Sequence, residues 1–115
     1  MADAPGEPVD LSRPEGEGPV WGTASEDLNA TLLAWQPGDG VAEHVNDERD
    51  VLIVVTGGSG VATVDGREHV LRAAHLLLIA KHARRRIVAG ADGLRYLSVH
   101  LRRGPLQIEP PDRNP

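Results

Sequence analysis

Apolar residues in this chain come in short blocks separated by polar, glycine-rich breaks. Residues 51–55, VLIVV, are five consecutive aliphatics, and further apolar blocks stand at 30–35, 60–64, 75–80, 86–89 and 94–101. Blocks of this length bounded by turn residues predict strands, since an amphipathic helix would spread its apolar positions at intervals of three and four. The stretch LRAAHLLLIAKHARRR has helical propensity, but its apolar residues are bunched at 76–80 instead of forming a stripe. Asp39-Gly40, Asp65-Gly66 and Asp92-Gly93 each read as tight turns, and Gly57-Gly58 as a fourth break. Six short strands with this spacing predict an all-β sandwich or barrel. Block 51–55 is apolar at every position, so one face should line the interior and the other be covered by a second sheet or subunit.

The two ends differ from the middle. Residues 1–19 contain Pro5, Pro8, Pro14 and Pro19 among glycines and acids, which predicts an extended or disordered arm unable to sustain sheet pairing. Residues 104–115 contain Pro105, Pro110, Pro111 and Pro115 and read as a tail. Residues 20–103, with Pro37 as their one proline, form the expected barrel.

Composition narrows the chemistry. A chain of 115 residues holds one domain and one modest core, and with Trp21, Trp35 and Tyr96 as its only aromatics that core must be mainly aliphatic. A formal charge of −5 argues against a general nucleic-acid binder. The lack of cysteine excludes disulfides, thiolate metal sites and a thiol nucleophile. No apolar run approaches the roughly 20 residues that cross a bilayer, and no signal-peptide pattern opens the chain. The expectation is a cytoplasmic protein that binds neither nucleic acid nor membrane.

The chemistry concentrates at 40–58, GVAEHVNDERDVLIVVTGG. On a strand His44 and Asn46 share a face, and Asp50 has the same parity. The spacing H-x-N-x3-D-x6-G, ending at Gly57, resembles the first motif of the cupin superfamily, a double-stranded β-helix or jelly-roll barrel. In metal-binding cupins that motif is H-x-H-x3-E-x6-G, and both histidines and the glutamate are ligands. Only His44 is retained here. The second cupin motif, G-x5-P-x-G-x2-H, falls on residues 74–85, with Ala74 and His82 at the glycine positions, Ala80 at the proline and Arg85 at the ligand histidine. The phrases DLNATLLAW, HVNDERDVLIVV and GLRYLSVHLRRGPLQI also resemble a narrower group of small bacterial cupin-like proteins. The resemblance implies the fold and carries no activity with it.

An altered site of this kind supports several expectations. A divalent ion such as Zn, Mn or Fe could draw on His44, Asn46, Asp50 and His100, but a guanidinium stays protonated and repels a cation. The favoured expectation is therefore that Arg85 replaces the metal and pairs with Asp50 across the interior, where removing one partner of a buried pair costs roughly 3–5 kcal/mol. His44, Asn46, Asp50, Arg85, Tyr96 and His100 would then line a pocket for a small, anionic molecule, with Arg85 as the anchor. Tyr96, Ser98 and His100 share strand parity. His69, His75 and His82 read as exposed or barrel-mouth residues, and Arg84 and Arg86 as solvated. Three functions follow: a metal-free small-molecule-binding protein, favoured; a metal-dependent cupin enzyme of isomerase, decarboxylase or dioxygenase type; or a non-catalytic interaction or regulatory protein. A homodimer is expected in each case.

Overall fold

The computed structural model describes residues 6–102. Seven strands follow in order: β1 (Gly18–Ala24), β2 (Leu28–Trp35), β3 (Gly40–Val45), β4 (Val51–Val64), β5 (Arg67–Arg72), β6 (Leu76–Ile79) and β7 (Arg84–Leu101). All pairings are antiparallel; the sheet runs β1-β2-β7-β4-β5, with β3 joined to β7 and β6 to β4. No helix of the described residues is long and apolar enough to cross a membrane.

β4 and β7 pair along nearly their whole length and form the spine. The sequence pattern predicts two strands in place of each, with a break at Gly57-Gly58 in one and Asp92-Gly93 in the other. Instead each continues through a bulge, with register shifts between Val55 and Gly57 and between Gly58 and Gly60. A bulge bends a strand without reversing it, so one ribbon can curl over to close a barrel. Glycine is required at this bend. Gly58 and Gly93 both have positive φ, of 75° and 74°, and a Cβ on Gly58 would collide with the carbonyl oxygen of Gly93.

The true turns have recognisable geometry. Asp65 and Gly66 both take positive φ between Val64 and Arg67, the type I′ hairpin that an Asp-Gly pair favours. The turn expected at Asp39-Gly40 lies slightly earlier: Asp39 N donates to Gln36 O at 2.9 Å, with Pro37 and Gly38 at the corner. A proline fixes φ at the second position and a glycine supplies positive φ at the third, so the Pro-Gly pair outcompetes the Asp-Gly pair beside it.

One continuous core contains Val51, Ile53, Val55, Ala62, Leu71, Ile79, Ala83, Ile87, Ala89, Leu94 and Tyr96. In 51–55 the odd positions enter it, as expected of one face, while Leu52 and Val54 face outward and are only half-buried. Their partners across the β4/β6 ladder, Leu78 and Leu76, are 60% and 62% exposed. Leu32 and Ala34 are buried outside that core, alternating with Leu33 and Trp35, which pack against it. Their face is covered in part by the arm, because Arg95 Nη2 donates to the carbonyls of Leu11 and Pro14 at 2.9 and 3.0 Å. The arm's expected lack of pairing fails at its end. Gly18 and Pro19 already pair with Ala34 and Leu33, and β1 is an edge strand, where a missing N–H is tolerated. The expected tail at 104–115 lies outside the described residues.

Two turns carry strain that the motif comparison foreshadows. Ala74 and His82, at motif positions where glycine is usual, have φ of 72° and 75°. Each is the third residue of a turn closed by a backbone hydrogen bond, from His75 N to Arg72 O at 3.0 Å and from Ala83 N to Ala80 O at 3.2 Å. The left-handed conformation costs an L-residue roughly 1–2 kcal/mol, part of which glycine's greater unfolded-state entropy offsets. Ala74→Gly is expected to stabilise the chain by about 0.5–1 kcal/mol in urea unfolding. A loss of stability on that substitution would show the turn to be unstrained.

Candidate functional site

The site forms where β3 meets the start of β7. β3 is short and irregular: its register with β7 shifts between Val41 and His44, which brings His44 opposite Arg85. The two side chains are joined directly, with Arg85 Nε donating to His44 Nε2 at 3.0 Å. The other ring nitrogen, Nδ1, donates to Ala42 O at 2.9 Å, so the bonding pattern fixes a neutral tautomer whose free lone pair faces the guanidinium.

Below this pair lies a cavity of about 190 Å³ lined by Leu33, Val41, His44, Val51, Ile53, Ile79, Arg85, Ile87, Tyr96 and Ser98. Among the described residues its walls are largely aliphatic, its one fixed charge is Arg85, and no Asp or Glu lines it. Arg85 Nη1 is buried without a hydrogen-bond partner. Burial lowers the pKa of Arg85, opposed by the nearby Tyr96, and leaves a guanidinium far into its charged range. Tyr96 is 2% exposed, and its hydroxyl oxygen accepts from Trp35 Nε1 at 3.1 Å. Burial raises its pKa, while the Trp35 hydrogen bond and Arg85 act the other way. The phenol is thus held neutral as a donor.

Of the six expected pocket residues, the structure brings together His44, Arg85 and Tyr96. Asn46, Asp50 and His100 stand elsewhere. Strand parity failed for the first two because β3 ends at Val45. Asn46 Oδ1 instead accepts from the backbone N–H of Glu48 and Arg49 at 2.9 and 3.2 Å, the local turn that asparagine favours. The expected Asp50–Arg85 pair is not formed: Asp50 is exposed and its Oδ1 accepts from Lys81 N at 2.9 Å. With His82 N donating to Asn46 O at 2.8 Å, these contacts tie the loop after β3 to the turn before β7. His100 has inward parity but lies beyond the cavity, 3.4 Å from Asn29 Nδ2 through Nε2 and bonded to Leu101 O through Nδ1. Ser98 does line the cavity, although its parity with Tyr96 was the only sign of it. His75 and His82 serve their turns, through Arg72 N and Asp47.

These contacts also test whether a metal fits. Both ring nitrogens of His44 are occupied, Asn46 and Asp50 hold backbone N–H groups, and His100 is remote from all three. Among the described residues, no three His, Cys, Asp or Glu side chains are grouped so as to hold an ion. The donor set present does not fit a divalent metal.

Together the antiparallel bulged barrel and its inward-facing site define a small cupin domain. The sequence matches the family model of the AraC-like ligand binding domain over residues 29–107, and the chain belongs to that family. Solved structures agree on the fold. TT1209 from Thermus thermophilus superposes with a TM-score of 0.74 at 24% identity, covering 85% of this chain and 99% of that one. KdgF from Halomonas sp. gives 0.67 at 16% identity, covering 75% and 78%. The cupin protein BF4112 from Bacteroides fragilis gives 0.61 at 24% identity, covering 73% of each chain. No curated protein matches the sequence.

Tyr96 is the only tyrosine in the chain, so its ionisation can be followed directly. Its native pKa is raised, which keeps the associated stability intact below the unfolded value of about 10 and removes it as pH climbs through the native value. Tyrosinate absorbance is expected at higher pH in the native protein than in the urea-unfolded chain. Coincident curves would place the phenol in solvent.

Proposed function

We propose that this domain binds a small acidic molecule in the cavity beneath Arg85, without a metal. The observation that carries this reading is the guanidinium nitrogen Nη1, which is buried, unpartnered and at a cavity without a carboxylate. A buried charged donor left unsatisfied is costly, whereas a charge-assisted hydrogen bond to an oxyanion relieves that cost. His44 holds Arg85 from the side through Nε, which leaves the end of the guanidinium available. Family membership supports small-molecule binding in general; the acidic character of the ligand rests on Arg85.

In this reading the protein is a binder. No lining residue is an Asp or Glu general base, and His44, the one imidazole on the cavity, has its basic nitrogen occupied by Arg85. The reading also explains why His44 persists without its partner ligands: it serves as an acceptor that orients the anchor.

A thermal-shift screen of small carboxylates and phosphates tests the reading. A ligand at about 100 times its Kd adds about 2.7 kcal/mol of stability, or several degrees in Tm for a domain of this size. At least one acid should raise Tm by that amount, and Arg85→Met should abolish the shift. A shift of equal size in Arg85→Met, or no acid that stabilises the chain, would contradict it.

A further inference from the structure

We infer that the ligand is a compact monocarboxylate with a branched or cyclic hydrocarbon body. This rests on the acidic-ligand reading above and narrows it. The charge on the ligand follows from the charge on the wall. Arg85 is the one ionised group lining the cavity, so a single negative charge is neutralised and a second would face Val51, Ile53, Ile79 or Ile87 with no counter-charge. An unpaired charge against an aliphatic wall is strongly disfavoured.

The kind of oxyanion follows from the donors. Arg85 Nη1 has no partner. The hydroxyl oxygen of Tyr96 is taken up by Trp35 Nε1–H, which leaves the phenol proton to donate. Tyr96 and Arg85 both line the cavity. Two donors lining one cavity can serve the two oxygens of one carboxylate, and Ser98 lines it too. Acceptors are scarce by contrast, because the free nitrogen of His44 already receives Arg85 Nε–H. A neutral polyol, whose hydroxyls must each donate as well as accept, would bury unsatisfied hydroxyl protons there.

Size and wall chemistry set the body. The cavity, at about 190 Å³, is smaller than the roughly 300–1,000 Å³ of pockets that hold drug-sized ligands, so it suits a compact one. Six of the ten lining residues, Leu33, Val41, Val51, Ile53, Ile79 and Ile87, are aliphatic.

Isothermal titration calorimetry of the full chain with isovalerate, isovaleramide, succinate and inorganic phosphate separates the possibilities. Isovalerate is expected to bind, with isovaleramide and succinate at least tenfold weaker and phosphate without measurable heat. Arg85→Met should abolish isovalerate binding, and Tyr96→Phe should weaken it severalfold while the β-type circular dichroism spectrum is kept. Succinate or phosphate binding as tightly as isovalerate, and through Arg85, would overturn the single-charge hydrocarbon ligand while sparing the acidic-ligand site. Isovalerate and isovaleramide binding alike, or no binding of any of the four, would overturn this inference. Isovalerate binding that survives both substitutions would overturn the inference and the site together.

Discussion

The antiparallel pairing of β4 with β7 is the constraint on which the molecule depends. These strands run for 14 and 18 residues, and every other strand except β1 pairs directly with one of them. Their length would give a flat, two-faced ribbon if it were regular. The bulges at Gly57–Gly60 and the close approach of Gly58 to Gly93 bend it, so that Val51, Ile53 and Val55 share one interior with Ile87, Ala89 and Tyr96. The same bend aligns the start of β7 with β3. The cavity and the core are therefore products of one curved ladder.

Within that frame the site is held by its neighbours' backbone as much as by side chains. Ala42 O orients His44, and His44 orients Arg85. The loop from Asn46 to Asp50 is tied to the Ala80–Ala83 turn by hydrogen bonds from Lys81 N to Asp50 Oδ1 and from His82 N to Asn46 O, which holds β3 and β7 in step. Asn46 and Asp50, which stand at metal-ligand positions of the motif, serve here as loop supports, and Arg85 stands at the ligand-histidine position of the second motif. A hydrogen bond from an arginine to a neutral imidazole leaves the positive charge uncompensated, whereas the expected Asp50–Arg85 pair would have neutralised it. That uncompensated charge is what the proposed acidic ligand would meet.

The all-β class, the aliphatic core and the barrel interior were readable from the apolar blocks and from the spacing of two motifs. Ala74 and His82 are the clearest case: residues that depart from the glycine pattern nevertheless keep the positive φ the pattern exists to supply. Where the reading failed, a count of residues stood in for a backbone path. Parity placed Asn46 and Asp50 beside His44, but β3 ends at Val45 and the chain turns. Asp92-Gly93 looked like a hairpin, because a two-residue signal cannot tell a turn from a bulge between strands that are paired elsewhere in the sequence. Arg85 lines the cavity, yet its partner depended on a register shift at Val41–His44 that no local pattern announces.

The central claim is that Arg85 is an anchored, inward-facing cation whose Nε is bonded to a neutral His44. Nitrogen-15 NMR of the two side chains tests it most directly. The account predicts an Arg85 Nε–H signal protected from solvent exchange, together with a His44 ring protonated at Nδ1 and bare at Nε2. A rapidly exchanging Arg85 Nε–H, with His44 carrying its proton on Nε2, would contradict it.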